Sequence, residues 1–190
     1  MTFPIGVMAP LKADSDSFAQ VVDFGLDTCQ LVSWDSELFT AETADRVRAE
    51  IERTGMHVTS FWSGWPGPKT WDFAEGPQTL GIVPPAYRPE RVQALKRAGE
   101  FAAAVGLRAV VTHLGFIPEN PSDPAFGDVV ACVREIAEDL AGRGLEFWFE
   151  TGQETPVTLL RLIQSVGTGN LGINLDPANL VLYGKANPVD

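Results

Sequence analysis

Short β-rich runs alternate along the chain with stretches whose apolar residues recur every three or four positions. The runs are Ile5 to Ala9, Cys29 to Trp34, Val58 to Trp62, Ala109 to Leu114, Phe147 to Glu150 and Leu171 to Asp176. Between them, Ala44, Val47 and Ile51 mark one helical face, as do Val129, Val133, Ile136 and Leu140, and then Leu159, Leu162, Ile163 and Val166. Such alternation predicts a parallel sheet with helical crossovers, the marked faces lying on the sheet.

The helix boundaries carry a repeated signal. A capping residue followed by proline occurs at Asp123-Pro124 and Thr155-Pro156, with Pro89 placed similarly, and proline suits a first turn because its missing N–H has no intrahelical partner there. Gly55, Gly106, Gly144 and Gly167 close the helices. One stretch breaks the rhythm, Ser63 to Arg88, with Trp65, Trp71, Phe73 and Tyr87 among five prolines and four glycines. It is too long for a plain connection and reads either as a substrate-facing lid or as a packed excursion or subunit contact.

The ending, YGKANPVD, repeats the cap-then-proline signal at Asn187-Pro188, which places Asp190 in the first turn of a further helix. Six strand-helix units match a (β/α)8 TIM-barrel type, incomplete at about six of eight units, since such barrels run to roughly 250 residues. The expectation is a single, C-terminally truncated barrel domain over residues 1–190. An open doubly wound sheet is the rival; against it, Ala9-Pro10-Leu11-Lys12 follows the first strand where a Gly-rich phosphate loop would stand. A barrel lacking two strands leaves the first and sixth with unpaired edges, from which poor solubility or a covering partner is expected.

Composition narrows the partners. With 190 residues, 45% of them apolar, the chain can bury one good core. Its formal net charge of −11 and only 14 scattered Lys and Arg argue against nucleic acid. Cys29 and Cys132 form no CxxC pair, which suits a reducing cytoplasm, and no signal peptide or bilayer-spanning run is visible.

Barrel enzymes keep their chemistry at the C-terminal ends of the strands. Those ends are Trp34 with Asp35, Trp62, His113, Glu150 and Asp176. Glu150 and Asp176 each close a largely buried strand, and unpaired buried carboxylates are costly, so a cation should meet them: Lys12, Lys185 or a divalent metal ion with oxygen ligands. Each could instead cap the helix that follows. His57 starts its strand, on the barrel floor, and is structural; His113 ends its strand, where it could bond a substrate hydroxyl, ligate metal or join a core polar network.

The segments FETGQET, GINLDPANLVLYGKANPVD and VVTHLGF resemble the xylose isomerase-like TIM barrels, a family of sugar phosphate isomerases and epimerases, over nearly the whole chain. The resemblance implies a divalent ion (manganese, magnesium, cobalt or zinc) held by Glu, Asp, His and Glu at the ends of strands five to eight. Glu150 and Asp176 match the first two, and the chain offers no His after His113 and no Glu after Glu154 for the others. The implied reaction is proton abstraction next to a carbonyl through an ene-diolate, with Glu150 as one of two acid/base glutamates. The 190-residue chain alone is then expected to bind metal weakly and not to turn over. His113, Trp62, Trp34, Glu154 and Asn179 are the candidate substrate contacts, although Asn179 stands where some ketose epimerases carry a histidine and Glu154 lies near, not at, their acidic contact. The expected partner is a small-molecule sugar or sugar phosphate, with homo-oligomerisation open. Alternatives are an inosose dehydratase-like lyase and a non-catalytic carbohydrate-binding barrel. The apurinic-site endonucleases of the superfamily need more histidines and a basic groove, which this chain lacks.

Overall fold

Six parallel strands form one sheet in chain order: β1 Val7–Pro10, β2 Thr28–Ser33, β3 His57–Ser63, β4 Ala109–Thr112, β5 Glu146–Glu150 and β6 Leu171–Asn174. They belong to a computed structural model that describes residues 3–189. The helices α1 Ala19–Asp23, α2 Ala41–Thr54, α3 Gly76–Thr79, α4 Arg88–Val105, α5 Pro124–Gly142, α6 Pro156–Val166 and α7 Pro177–Leu182 lie between and after the strands. No helix among the described residues is long and apolar enough to cross a membrane.

The caps behave as the sequence suggests. Asp123 accepts from Ala125 N and Thr155 from Thr158 N, each just before a proline at the helix start. Gly55, Gly106 and Gly167 end their helices in the left-handed conformation. Gly144 stands one residue past the cap, which is Arg143. Pro89 differs too: α4 begins after Tyr87, which makes no side-chain capping bond. Asn187 Oδ1 accepts from Val189 N, the start of a turn, while Asp190 lies outside the described residues.

Strand ends shift by one to two residues from the expected spans. β6 stops at Asn174 because Asp176 leaves the sheet to cap α7, and β4 stops at Thr112 because the Leu114 carbonyl accepts from Ile82 N instead of a neighbouring strand. On β5, Phe147 and Phe149 face outward into an apolar layer with Val129, Val133, Ile136, Leu140, Leu159 and Leu162. The intervening Glu146, Trp148 and Glu150 face the other way, as the two-residue period of a strand requires.

The sheet is strongly curled. Gln30 Nε2 on β2 donates to Asn174 Oδ1 on β6 at 3.3 Å and to Ser60 Oγ on β3 at 2.9 Å, so strands four places apart touch through their inner side chains. Among the described residues β1 pairs only with β2 and β6 only with β5, leaving both outer edges free; Met8, Ile173 and Leu175 are exposed apolar residues on these two strands and just beyond β6.

The 63–88 stretch is a packed excursion whose buried part includes Trp65, Leu80 and Ile82. Arg91 on α4, fully buried, holds it: Nε donates to Pro66 O at 3.1 Å, Nη1 to Thr79 O at 2.7 Å and Gly81 O at 2.6 Å, and Nη2 to Pro68 O at 2.7 Å. The guanidinium also lies against the rings of Trp65 and Tyr87. Burial pulls its pKa down to about 10, still charged at neutral pH, while the carbonyl dipoles supply the solvation that a carboxylate would otherwise give. Gly81, with φ +66°, completes the seam, because a Cβ there would collide with the Leu114 carbonyl.

Replacing Arg91 leaves four backbone carbonyls without their donor at once, that of Gly81 in a fully buried bond. Arg91→Met is therefore expected to cost about 3–5 kcal/mol in urea unfolding, and Arg91→Lys to recover little of it because one ammonium cannot reach a planar fork of carbonyls.

Candidate active site at the C-terminal ends of the strands

The strand ends bring Glu150, His113 and Trp62 into contact. Glu150 Oε2 accepts from Trp62 Nε1 on β3 and, at 3.3 Å, from Asn174 Nδ2 on β6, while Oε1 lies 3.3 Å from His113 Nε2 just beyond β4. Burial pushes the Glu150 carboxyl up, but the hydrogen bond and charge of His113 and the Trp62 and Asn174 donors together outweigh it and hold the group below its ordinary value. Glu150 is thus ionised at neutral pH.

The expectation that Lys12 or Lys185 meets the carboxylates is corrected. Lys12 Nζ donates to Asp16 O at 3.2 Å and Lys185 Nζ to Glu119 Oε1 at 3.2 Å, so Glu150 is satisfied by an indole, an amide and an imidazole instead. Asp176 takes the capping role: Oδ1 accepts from Ala178 N at 2.8 Å and Asn179 N at 3.0 Å. A reciprocal pair joins it to β5, since Asp176 N donates to Thr151 Oγ1 and Thr151 Oγ1 donates to Asp176 O. Oδ2 takes no hydrogen bond within the described residues. The donors fit a hard divalent ion in kind, being carboxylate oxygens, but not in number: among the described residues no three His, Cys, Asp or Glu side chains converge.

Aromatic rings wall this site. Trp34, following β2, packs on Trp62 at 4.9 Å, Trp65 at 5.3 Å and Trp71 at 6.2 Å between ring centroids, and the Trp71 ring reaches His113 at 5.1 Å. Gly64 is required for this packing, because any Cβ there would collide with the Trp34 ring. The excursion therefore contributes Trp71 to the mouth of the barrel while its own root is fixed by Arg91.

After β5 the chain buries Gln153, Glu154 and, beside them, His113. Both Gln153 amide atoms, Glu154 Oε2 and His113 Nδ1 have no partner among the described residues. Gly152 brings the group together: a Cβ on it would lie 3.4 Å from His113 Nδ1 and 3.8 Å from Asn179 Cβ. Burial pushes the Glu154 carboxyl up to about 7, against the opposing pull of its own and Gly152's backbone N–H and of the His113 and Lys185 charges. His57 is exposed at the start of β3, its N–H on Asp27 O at 2.7 Å, far from these groups along the strand.

Sequence reasoning did not single out Asn174, Gln30, Ser60 or Gln153, and placed Trp71 only in a loop. Asn174 had a readable signal: it is a polar residue inside the run Leu171 to Asp176 that the pattern marks as a strand. The Gln30 and Trp71 contacts depend on the sheet's curl and on the path of the excursion, which no local pattern encodes.

Sequential parallel strands, an outer layer of helices and polar groups at the strands' C-terminal ends define a TIM-barrel type of protein. The chain belongs to the xylose isomerase-like TIM barrel family, whose model matches residues 18–190. A xylose isomerase domain protein from Planctomyces limnophilus is 34% identical with a TM-score of 0.91, covering 98% of this chain and 66% of that one. An L-ribulose 3-epimerase is 20% identical with a TM-score of 0.70, over 94% of this chain and 62% of its own. A xylose isomerase-like TIM barrel protein from Mycobacterium smegmatis in complex with magnesium is 20% identical with a TM-score of 0.68, over 98% of this chain and 69% of that one. The chain thus spans about two thirds of the length of these structures. No curated protein matches it in sequence.

The raised Glu154 value has a measurable consequence. Between the carboxyl's ordinary 4.5 and about 7 the folded chain keeps a proton that the unfolded chain releases, so its contribution to stability is full below that window and is lost as pH rises through it. Unfolding free energies of the wild type, relative to Glu154→Gln, should fall by about 3 kcal/mol across the window. An unchanged difference would mean that Glu154 is not a buried acid.

Proposed function

We propose that the protein is a divalent-metal-dependent sugar or sugar phosphate isomerase or epimerase, acting by proton abstraction next to a carbonyl. The observation that carries this reading is the Glu150 carboxylate, ionised at the barrel mouth, fixed by donors from three other strands or their ends and facing an aromatic wall. In this reading Glu150 and Asp176 supply two oxygen ligands to manganese, magnesium, cobalt or zinc. Such an ion, when bound, would supply Lewis-acid polarisation of carbonyl and hydroxyl oxygens.

The chain's own residues do the remaining work assigned here. Glu150 takes the proton from the carbon beside the carbonyl, and its orientation is set by Trp62 and Asn174, which leave it little rotational freedom. His113 Nε2 hydrogen-bonds Glu150 or a substrate hydroxyl from the same position. Trp34 and Trp62, joined by Trp71, cover a sugar's apolar face and keep water from the enolate. Glu154, in the loop after β5, and Asn179, in the first turn of α7, serve as hydroxyl contacts. Up to the enolate a lyase would use the same groups, so elimination from that intermediate is the neighbouring reaction.

The test is Glu150→Gln in the whole gene product. Deuterium uptake from solvent at the substrate carbon should drop by at least about 100-fold while sugar binding, read by tryptophan emission, survives. Manganese should raise Tm for the wild type and less for the variant. Retained exchange would remove Glu150 as the base.

A further inference from the structure

We propose that Lys69 reads an anionic substituent of the substrate, so that the site takes sugars carrying a phosphate or carboxylate group in preference to neutral ones. This inference rests on the sugar reading above and deepens it.

Lys69 is the cation that the fold leaves uncommitted. Every other lysine and arginine donates to an oxygen of the protein, whether a carboxylate, a carbonyl or a hydroxyl. Lys69 donates to none among the described residues; its ammonium lies 5.0 Å from the centroid of the Trp34 ring, a cation–π contact that orients the group without neutralising it. The acids nearest to it in sequence are engaged elsewhere. Asp72 Oδ1 accepts from the backbone N–H groups of Ala74, Glu75 and Gly76, Glu75 Oε2 from Thr70 Oγ1, and Asp35, one residue past Trp34, from Glu37 N.

The position of that ammonium is a site position. Trp34 packs on Trp62, whose indole N–H is bound to Glu150, so two ring contacts separate Lys69 from the proposed base. Its backbone is held on both sides: the Pro68 carbonyl accepts from Arg91 and Thr70 N donates to Thr79 Oγ1 at 3.0 Å. Trp71, two residues on, rests against His113. An ammonium on a fixed wall loses less on binding than one on a mobile loop. The surrounding charge gives it a task, since the chain carries a formal net −11 and the mouth presents Glu150 and Asp176. An anionic substrate is repelled by such a field unless a local cation receives it.

The test is the affinity of the protein for D-fructose, D-fructose 6-phosphate and D-fructuronate, with inorganic phosphate as competitor, read by quenching of the tryptophan cluster. The charged sugars should bind about tenfold more tightly than fructose, the advantage falling with salt, vanishing in Lys69→Gln and returning in Lys69→Arg. Phosphate competing only against fructose 6-phosphate assigns the anion as phosphate; preference for the uronate assigns it as carboxylate. A charged-to-neutral ratio near one, or a ratio that Lys69→Gln leaves in place, overturns the inference while the sugar reading stands. Binding of none of the three sugars overturns both. Lys69 is exposed, so an unchanged Tm in Lys69→Gln will show that loss of the ratio is not loss of fold.

Discussion

A carboxylate taken out of water must be met by donors, and the way Glu150 is met organises the inner face of this sheet. Its partners come from β3, from the end of β4 and from β6, so satisfying one side chain on β5 draws four strand ends to a point. Asn174 passes the chain of bonds on to Gln30, which returns it to Ser60 on β3. The curl of the sheet and the geometry of the site are therefore one arrangement, and the same donors that stabilise the charge hold the Glu150 carboxylate in one orientation.

Charge is handled differently on the outer side of the site. Arg91 is buried without a carboxylate hydrogen bond, and backbone carbonyls alone accept from its guanidinium. Gln153 and Glu154 have the opposite situation, buried with polar atoms that no described residue meets. One cluster is closed and ties a loop in place; the other keeps unused hydrogen-bonding capacity beside His113. That contrast separates scaffold from site more sharply than burial does.

Much of this was legible from residue order. The six strands, the apolar faces of α2, α5 and α6, and the caps at Asp123 and Thr155 follow from local periodicity and from side-chain chemistry that acts within one turn. Glu150, His113 and Trp62 were recognisable as strand-end residues because a barrel places such ends at one mouth. What sequence could not supply were pairings made across the sheet. Asp176 could be a ligand or a cap, and only the position of α7 decides that Oδ1 is used by the helix. Lys12 and Lys185 were the nearest cations by composition, yet each lies closer to another oxygen, and Trp62, Asn174 and His113 meet Glu150 instead. The 63–88 stretch resisted assignment because its anchor, Arg91, is on the following helix and looks like any charged helical residue in the pattern.

Arg91 grips its loop by main-chain carbonyls, groups that every residue type provides. The anchorage thus places few demands on the side chains it secures, apart from the glycine at the seam. Lys69, whose side chain takes no part in that anchorage, can change identity while the backbone path stays the same. A barrel equipped in this way can alter the charge carried by a fixed wall without refashioning the wall itself.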